Sequence, residues 1–434
     1  MNLSSLLLAE SNALPSTLQR LFEAVAALSG KLGLRAALVG GFVRDLLLGS
    51  APSIKDIDFL IEGDGIAFAR AIAESLGGTV RPHEAFLTAT VFFHGTEGSF
   101  SADFASARCE HYPEPACLPL VQPATLERDL IRRDVSINAM AIRLDAAAFG
   151  QLVDPFGGQK DLADGVLRVL HPASFRDDPT RMFRAARYAA RYALRLEEET
   201  ARLLAAGLNF IPALSGSRLC HECELIAMES SAADAWRMLN AWGVLDAVLP
   251  GLAPGQNAHD RHKKLLETLS QTQAGLPDSP DSLLLSLLPL SEHLSPQKAA
   301  ELGQRLQLPA PRLRAFLTLH AGLPGLRDTL RELHSSLPIT PSLCHHALKG
   351  WPAEGLLLLA SESDGIIQST LHKELNEWRR QKALVTGADL LAMGFPPGPH
   401  IGAMLRTLQD ETLNLGITSR EQALELARRL CPVR

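Results

Sequence analysis

Apolar positions along the chain follow two periods. Up to about Arg143, short runs such as Ala36-Ala37-Leu38-Val39, Asp56-Ile57-Asp58-Phe59-Leu60-Ile61 and Leu87 to Phe93 read as strands, while Gly65 to Leu76 repeats at helical spacing. The pattern predicts an α/β N-terminal head, a small mixed sheet with helices. After Gly158 nearly every run is helical. Breakers at Pro250, Gly251 and Pro254, at Pro277 and Pro280, and at Pro324 and Gly325 divide leucine-rich helices into antiparallel modules, so the remainder reads as all-α. The leucine stripe from Leu283 to Leu288 reads as core rather than as a partner zipper. The chain shows no convincing internal repeat.

Chemistry enters where the first strand breaks. Gly40 and Gly41 end an apolar run and open a helix whose face is Phe42, Val43 and Leu46 to Leu48. Backbone N–H groups can therefore approach a ligand, and Arg44 lies near a helix N-terminus, where an anion such as a triphosphate is favoured. In the next strand a period of two puts Asp56 and Asp58 on one side and Ile57 on the other. Parallel carboxylates repel unless a cation sits between them. Hard divalent ions take carboxylate and phosphate oxygens, so glycine turn and acidic pair together point to nucleotidyl transfer with Mg²⁺ on Asp56 and Asp58. Solvated aspartates on a surface turn are the plain alternative for Asp-x-Asp taken alone.

A second constellation begins at Asp177-Asp178-Pro179-Thr180-Arg181. Pro179 fits a first helical turn, and Met182, Phe183, Ala185, Ala186, Ala189, Ala190 and Ala193 fill a packed face. Asp178 and Arg181 share the other side, where a carboxylate acceptor and a guanidinium donor can read the Watson–Crick edge of a base. Arg184, Arg187, Arg191 and Arg195 continue that side and align positive charge toward triphosphate and RNA backbone. For Arg191 and Arg195, pairing with Glu197, Glu198 and Glu199 on a solvated face is an equal alternative. Asp103, in a strand-like segment, is a third acidic candidate for metal support or activation of the attacking hydroxyl. Its alternative is a buried salt bridge with Arg108.

These segments, in this order, resemble the class II tRNA nucleotidyltransferases (CCA-adding enzymes) and the related bacterial poly(A) polymerases. Arg132-Arg133-Asp134-Val135-Ser136-Ile137-Asn138-Ala139-Met140-Ala141 is similar to the family element that contacts sugar and phosphates, which implies those roles for Arg133 and Asn138. Asp154-Pro155-Phe156-Gly157-Gly158 with Asp161-Leu162 is similar to the family's hinge between head and neck. The base-reading motif is usually Glu-Asp-x-x-Arg, and Asp177 replaces the glutamate. Asp103 falls in the family's Asp-x-Ala-x-x-Arg pattern. Arg218 to Glu222 and Leu384 to Leu391 are weaker matches in neck and tail. The implied layout is a nucleotidyltransferase head over 1–158, a helical neck with the base-reading motif over 159–230, a body over 231–330 and a tail over 331–434. The implied catalytic residues are Asp56, Asp58 and Asp103, and the nucleotide contacts are Gly41, Arg44, Arg133, Asn138, Asp178, Arg181, Arg184 and Arg187. The implied partners are tRNA, CTP and ATP, with no DNA and no membrane, and the reaction releases pyrophosphate. Addition of CCA is the leading expectation, CC, A or poly(A) addition an alternative, and a non-catalytic RNA binder another. The segment from Cys109 to Pro123 resembles the flexible loop that supports the switch to ATP, and CC-adding relatives are expected to have shortened it.

Composition narrows the picture. A hydrophobic content of 46% and a charged content of 21% over 434 residues allow a sizeable core and several modules. The opening segment lacks a basic leader and no apolar run reaches bilayer length, so a cytoplasmic location is expected. A net charge of −6 gives no global attraction to nucleic acid, so any RNA grip must be local. Aromatics at 5%, with three tyrosines, argue against an extended base-stacking platform and for recognition of RNA by shape and backbone. Six scattered cysteines suggest reduced thiols. Cys220-His221-Glu222-Cys223 lacks a second half-site for zinc, and His259-Asp260 with His262 lacks the further ligands of a phosphohydrolase site and reads as a surface helix start.

Overall fold

The structure, a computed structural model, describes residues 16–49, 57–95, 98–272, 279–335 and 339–430. Asp56 and Pro277 lie outside the described residues. Two compact units form: residues 1–222 with 229–248, and residues 223–228 with 249–434.

The first unit is built on a mixed sheet of seven strands: β1 (Ala36–Val39), β2 (Ile57–Ile61), β3 (Gly78–His83), β4 (Thr88–Gly95), β5 (Gly98–Ser106), β8 (Ala141–Arg143) and β9 (Leu152–Val153), ordered β3-β4-β5-β2-β1-β8-β9. Strands β2 and β5 run parallel and the other neighbours antiparallel. Helices α1 (Ser16–Leu32), α2 (Gly41–Leu47) and α3 (Gly65–Leu76) contribute Phe22, Phe42 and Phe68 to one core with Ile57, Phe59, Ile61, Ala102 and Phe104 of the central strands. Alternation does the rest. With Phe59 and Phe104 stacked in that core, 4.7 Å between ring centroids, Asp58 and Asp103 must face the other side of the sheet. That side carries a smaller cluster of Ala37, Val39, Leu60 and Ala107 packed on Leu126 and Leu130 of α4 (Leu126–Ile131). A separate two-stranded ribbon, β6 (Arg108–His111) with β7 (Leu120–Pro123), follows β5.

The same unit continues into α5 (Thr180–Arg191), the start of α6 (Gly216–Ala227) and α7 (Ala232–Ala241). Met182, Phe183, Ala185, Ala186 and Ala189 of α5 are buried as the pattern predicted, but the helix stops sooner. Ala193 is exposed with φ +52°, a left-handed residue that turns the chain, so Arg195 falls in a two-residue strand and not on the helix face. Arg191 pairs with Glu229 rather than with the glutamates after it.

The second unit is helical, with α8 (Gln256–Thr272), α9 (Ser282–Ser291) and α10 (Ala310–Ser335) among its elements. Leu283 to Leu288 are all buried in α9. Pro324 and Gly325 do not end a helix, since α10 runs through them. A proline in a helix costs ~3 kcal/mol, and burial of Leu323, Leu326 and Leu330, at ~1.5–3 kcal/mol each, outweighs that. His259 and His262 are also not surface residues: both are buried in α8. No helix among the described residues is long and apolar enough to cross a membrane.

Candidate functional site

The glycine turn forms as predicted. Gly40 has φ +76° and ψ −139°, a conformation only glycine adopts readily, and this lets β1 pass straight into α2. A Cβ there would sit 3.3 Å from both Asp58 Oδ2 and Arg133 Nη1, so a carboxylate from β2 and a guanidinium from beyond α4 converge on the missing side chain. At Gly41 a Cβ would lie 3.2 Å from Arg44 Nη2. The paired glycines thus make room for two arginines and one aspartate.

Asp58 and Asp103 stand directly opposite each other on parallel strands, and the next strand places Thr90 opposite Asp103. Thr90 Oγ1 donates to Asp103 Oδ1 at 2.5 Å, which fixes that carboxylate. The buried ion pair of Asp103 with Arg108 does not form. Asp103 is exposed, and Arg108 instead pairs with Glu110 and donates to the Phe86 carbonyl. Among the described residues no group of three or more His, Cys, Asp or Glu is placed to hold a metal. Two adjacent hard carboxylates nevertheless suit a divalent cation that completes its shell with phosphate oxygens and water.

Around this centre the arginines are held by a carboxylate the sequence reading missed. Asp129 is fully buried on α4; it accepts from Arg132 Nε at 2.9 Å and from Arg133 Nη2 at 3.4 Å. Its signal is the spacing of three and four to the two arginines. Arg44, 4% exposed, donates from Nη1 to Asn138 Oδ1 at 2.5 Å and from Nε to Asp45 Oδ1 at 2.9 Å. Asn138 in turn donates to Asp134. Asp154 accepts from the N–H groups of Gly158 and Gln159, and Asp161 accepts from Ser136 Oγ at 2.6 Å, which anchors the Arg132 to Ala141 element from behind.

At the Asp177–Arg181 motif, Asp178 and Arg181 are both buried and heavily engaged. Asp178 Oδ1 accepts from Thr180 N (3.0 Å), Thr180 Oγ1 (2.5 Å) and Arg218 Nη2 (2.8 Å), while Oδ2 accepts from Arg184 Nη2 (3.0 Å). Burial alone would raise its pKa, but Arg184, Thr180, Arg218 and Arg181 outweigh burial and hold the carboxyl below its ordinary value. Three of these four donors crowd onto Oδ1, while Oδ2, with two lone pairs and one donor, keeps an acceptor position. Arg181 donates from Nη1 to Ser174 Oγ (2.8 Å) and from Nη2 to the Arg132 carbonyl (2.8 Å), tying α5 to the Arg132-Arg133 turn. Its Nη1 also meets His171 Nε2 at 3.1 Å; burial first, then Arg181, lowers the pKa of that imidazole, so it accepts. Arg184 is flanked by Asp178, Asp134 and Glu222; burial opposes its charge, and these acids more than restore it. Arg187 lies near Glu229 and over the Tyr188 ring, 5.3 Å from its centroid.

Arg218, which lies in the weaker neck match, joins this cluster without any sequence signal for a site role. Besides Asp178 it donates from Nη1 to the Ala116 carbonyl at 2.7 Å, at the tip of the β6–β7 ribbon. The ribbon's Glu110 also accepts from Arg132 at 2.9 Å and from Tyr112 Oη at 2.8 Å. An open cavity of about 310 Å³ lies beside this cluster, lined by Asp178, Thr180, Arg184, Arg218 and Glu222.

A glycine turn, carboxylates in register on neighbouring strands of a mixed sheet, and arginines gathered around them define a nucleotidyltransferase head. Residues 36–168 match the Poly A polymerase head domain. Over 94% of its length the chain is 33% identical to an A-adding tRNA nucleotidyltransferase of Halalkalibacterium halodurans, of which it covers 92%. Over 70% of its length it is 37% identical to a CC-adding tRNA nucleotidyltransferase of Deinococcus radiodurans, of which it covers 77%. The Thermotoga maritima CCA-adding enzyme, solved in complex with tRNA, superposes with a TM-score of 0.78 at 27% identity, covering 99% of this chain and 98% of that one. The chain belongs to the class II tRNA nucleotidyltransferases and is an enzyme.

Proposed function

We propose that this enzyme, acting in the cytoplasm, extends the 3′ end of tRNA with nucleotides of the CCA sequence, the terminal A among them, from ATP and CTP with release of pyrophosphate. The observation that carries the reading is the convergence at Gly40 of the Asp58 carboxylate and the Arg133 guanidinium, with Asp103 in register beside Asp58. Asp58 and Asp103, with Asp56, would hold Mg²⁺, which when bound lowers the pKa of the attacking hydroxyl and neutralises phosphate charge. Arg44 and the N–H groups at the Gly41 turn bind the triphosphate, and Arg133 and Asn138 orient sugar and phosphates. Asp178 Oδ2 accepts from the exocyclic amine that cytosine and adenine share, while Arg181 holds the motif against Arg132. Arg184 fixes the carboxylate for that task, and Arg187 keeps the basic face beyond it. Guanine and uracil lack an amine in that position and leave the acceptor unpaired, which disfavours them.

Addition of A alone is a second reading, favoured by the A-adding name of the relative matched nearly end to end. Addition of CC alone is disfavoured, because the segment from Cys109 to Pro123, which CC-adding relatives are expected to have shortened, is present as the β6–β7 ribbon and its tip. The test is incubation of the protein and Mg²⁺ with tRNA transcripts ending before CCA, after C and after CC, given CTP, ATP or both and resolved at one nucleotide. Full CCA on the shortest acceptor supports the proposal. A on the CC-ending acceptor alone supports the second reading, and C alone or a long A tail overturns both. No addition anywhere, with tRNA still bound, would make the chain a non-catalytic RNA binder. Asp58→Asn is expected to cut incorporation by at least about a thousandfold with tRNA affinity retained.

A further inference from the structure

One aromatic residue outside every motif touches the triphosphate arginine. Tyr192 follows the last residue of α5 and reaches back to α2. Its ring faces the Arg44 guanidinium, 4.4 Å from Cζ to the ring centroid, and its hydroxyl donates to Asp45 Oδ1 at 3.2 Å. Tyr188, one turn earlier, lies 5.9 Å from the same cation. Arg44 is therefore held on three sides: Asp45 takes the Nε and Nη2 edge, Asn138 takes Nη1, and Tyr192 covers the face. Asp45, which orients the guanidinium, is itself oriented by the Tyr192 hydroxyl.

We propose that Tyr192 is a positioning residue that acts through Arg44. It holds the guanidinium flat beneath the Gly40–Gly41 turn for the triphosphate, and links that end of the nucleotide to α5, whose other end follows Asp178 and begins with Thr180 and Arg181. The proposal rests on the reading of Arg44 as a triphosphate ligand. An arginine has many rotamers of similar energy, and a face held by an aromatic ring together with a carboxylate along one edge selects one of them. Without the ring the guanidinium must be ordered by the nucleotide at each binding event. The loss then appears in nucleotide affinity and not in the chemical step.

The experiment measures KM for ATP and kcat on a CC-ending tRNA, together with the Ki of inorganic triphosphate, for wild type, Y192F, Y192M, R44A and Y192M/R44A. Methionine fills similar volume without an aromatic face, and Y192L replaces it if Y192M does not fold. Y192M is expected to raise both KM and Ki about three- to thirtyfold with kcat within about twofold, and Y192F to keep most of the wild-type affinity. In the R44A background Y192M should add less than about twofold. Equal effects of Y192M with and without Arg44, or a lowered Tm with unchanged KM and Ki, would overturn the proposal. Wild-type KM and Ki in R44A would instead overturn the assignment of Arg44 to the triphosphate, a result separate from the behaviour of Tyr192.

Discussion

Adding one carbon at each glycine of the Gly40–Gly41 turn separates backbone strain from site geometry. At Gly40, φ +76° with ψ −139° is a region an L side chain enters at a cost of ~1–3 kcal/mol. The added Cβ would also stand 3.3 Å from Asp58 Oδ2 and from Arg133 Nη1, a distance at which each neighbour must yield by a few tenths of an ångström. A typical stability of ~5–15 kcal/mol absorbs that strain with nearly all molecules still folded, so any loss of kcat beyond a few per cent is local. A displacement of ~1 Å at reacting groups costs ~100-fold, and the smaller shift expected here points to ~10-fold or more in kcat for Gly40→Ala. Gly41 differs, because its backbone is helical and its Cβ meets the Arg44 guanidinium, nearest at Nη2, 3.2 Å away. In Gly41→Ala the contact with the pinned Arg44 should offset the ~0.4–1 kcal/mol gained from reduced freedom of the unfolded chain, so stability stays near wild type while nucleotide KM rises. Urea unfolding and single-nucleotide incorporation on both variants check the pair. Wild-type kcat in Gly40→Ala, or a parallel loss of stability and activity in Gly41→Ala, would refute the convergence at this turn.

Arg218→Gln removes one donor from Asp178 and frees the Ala116 carbonyl, so discrimination between ATP and CTP, read as the ratio of their kcat/KM values, should change by ~10-fold with the fold intact. Thr90→Val takes away the hydrogen bond that fixes Asp103, and a drop in kcat with unchanged nucleotide KM is expected if Asp103 serves the reacting centre. His262 is fully buried with neither ring nitrogen hydrogen-bonded among the described residues, and burial, then His259, pushes its pKa down to about 3 from an ordinary 6.5. The unfolded chain therefore takes the proton first, and stability present above pH 6.5 is lost as pH falls toward 3. Between pH 6.5 and 5 that loss is ~2 kcal/mol, and denaturant midpoints of His262→Leu should lack it; equal slopes in both proteins would show that another group titrates.

How far the site could be read in the sequence follows from how far apart its parts lie along the chain. The Gly40–Gly41 turn, the alternation that turns Asp58 away from the core, and the packed face of α5 are local, and local periodicity carries them. The alignment of Asp58 with Asp103 depends on strands paired across 44 intervening positions, a register no window of sequence contains; it emerges only when Phe59 and Phe104 stack and fix both faces. From the sequence Arg108 is the cation nearest to Asp103, which makes an ion pair the alternative to a metal role there, whereas in the fold Thr90 lies opposite Asp103 on the adjoining strand. Likewise Arg218 is a plain helix residue until the ribbon tip folds back to offer the Ala116 carbonyl. Tyr192 reads as a helix end until α2 is packed beneath it. At Pro324 and Ala193 the local rules gave the opposite of the structure, in one case because buried leucines outweigh a missing N–H, in the other because a left-handed residue ends a helix that composition would have prolonged. The charged residues proposed for the reacting centre are thus visible from spacing, while the residues that aim them, Asp129 excepted, are visible only from contact. Aim decides rate once charge is present. For that reason the variants that discriminate best lie at Gly40, Thr90, Tyr192 and Arg218 and not at the acids and arginines themselves.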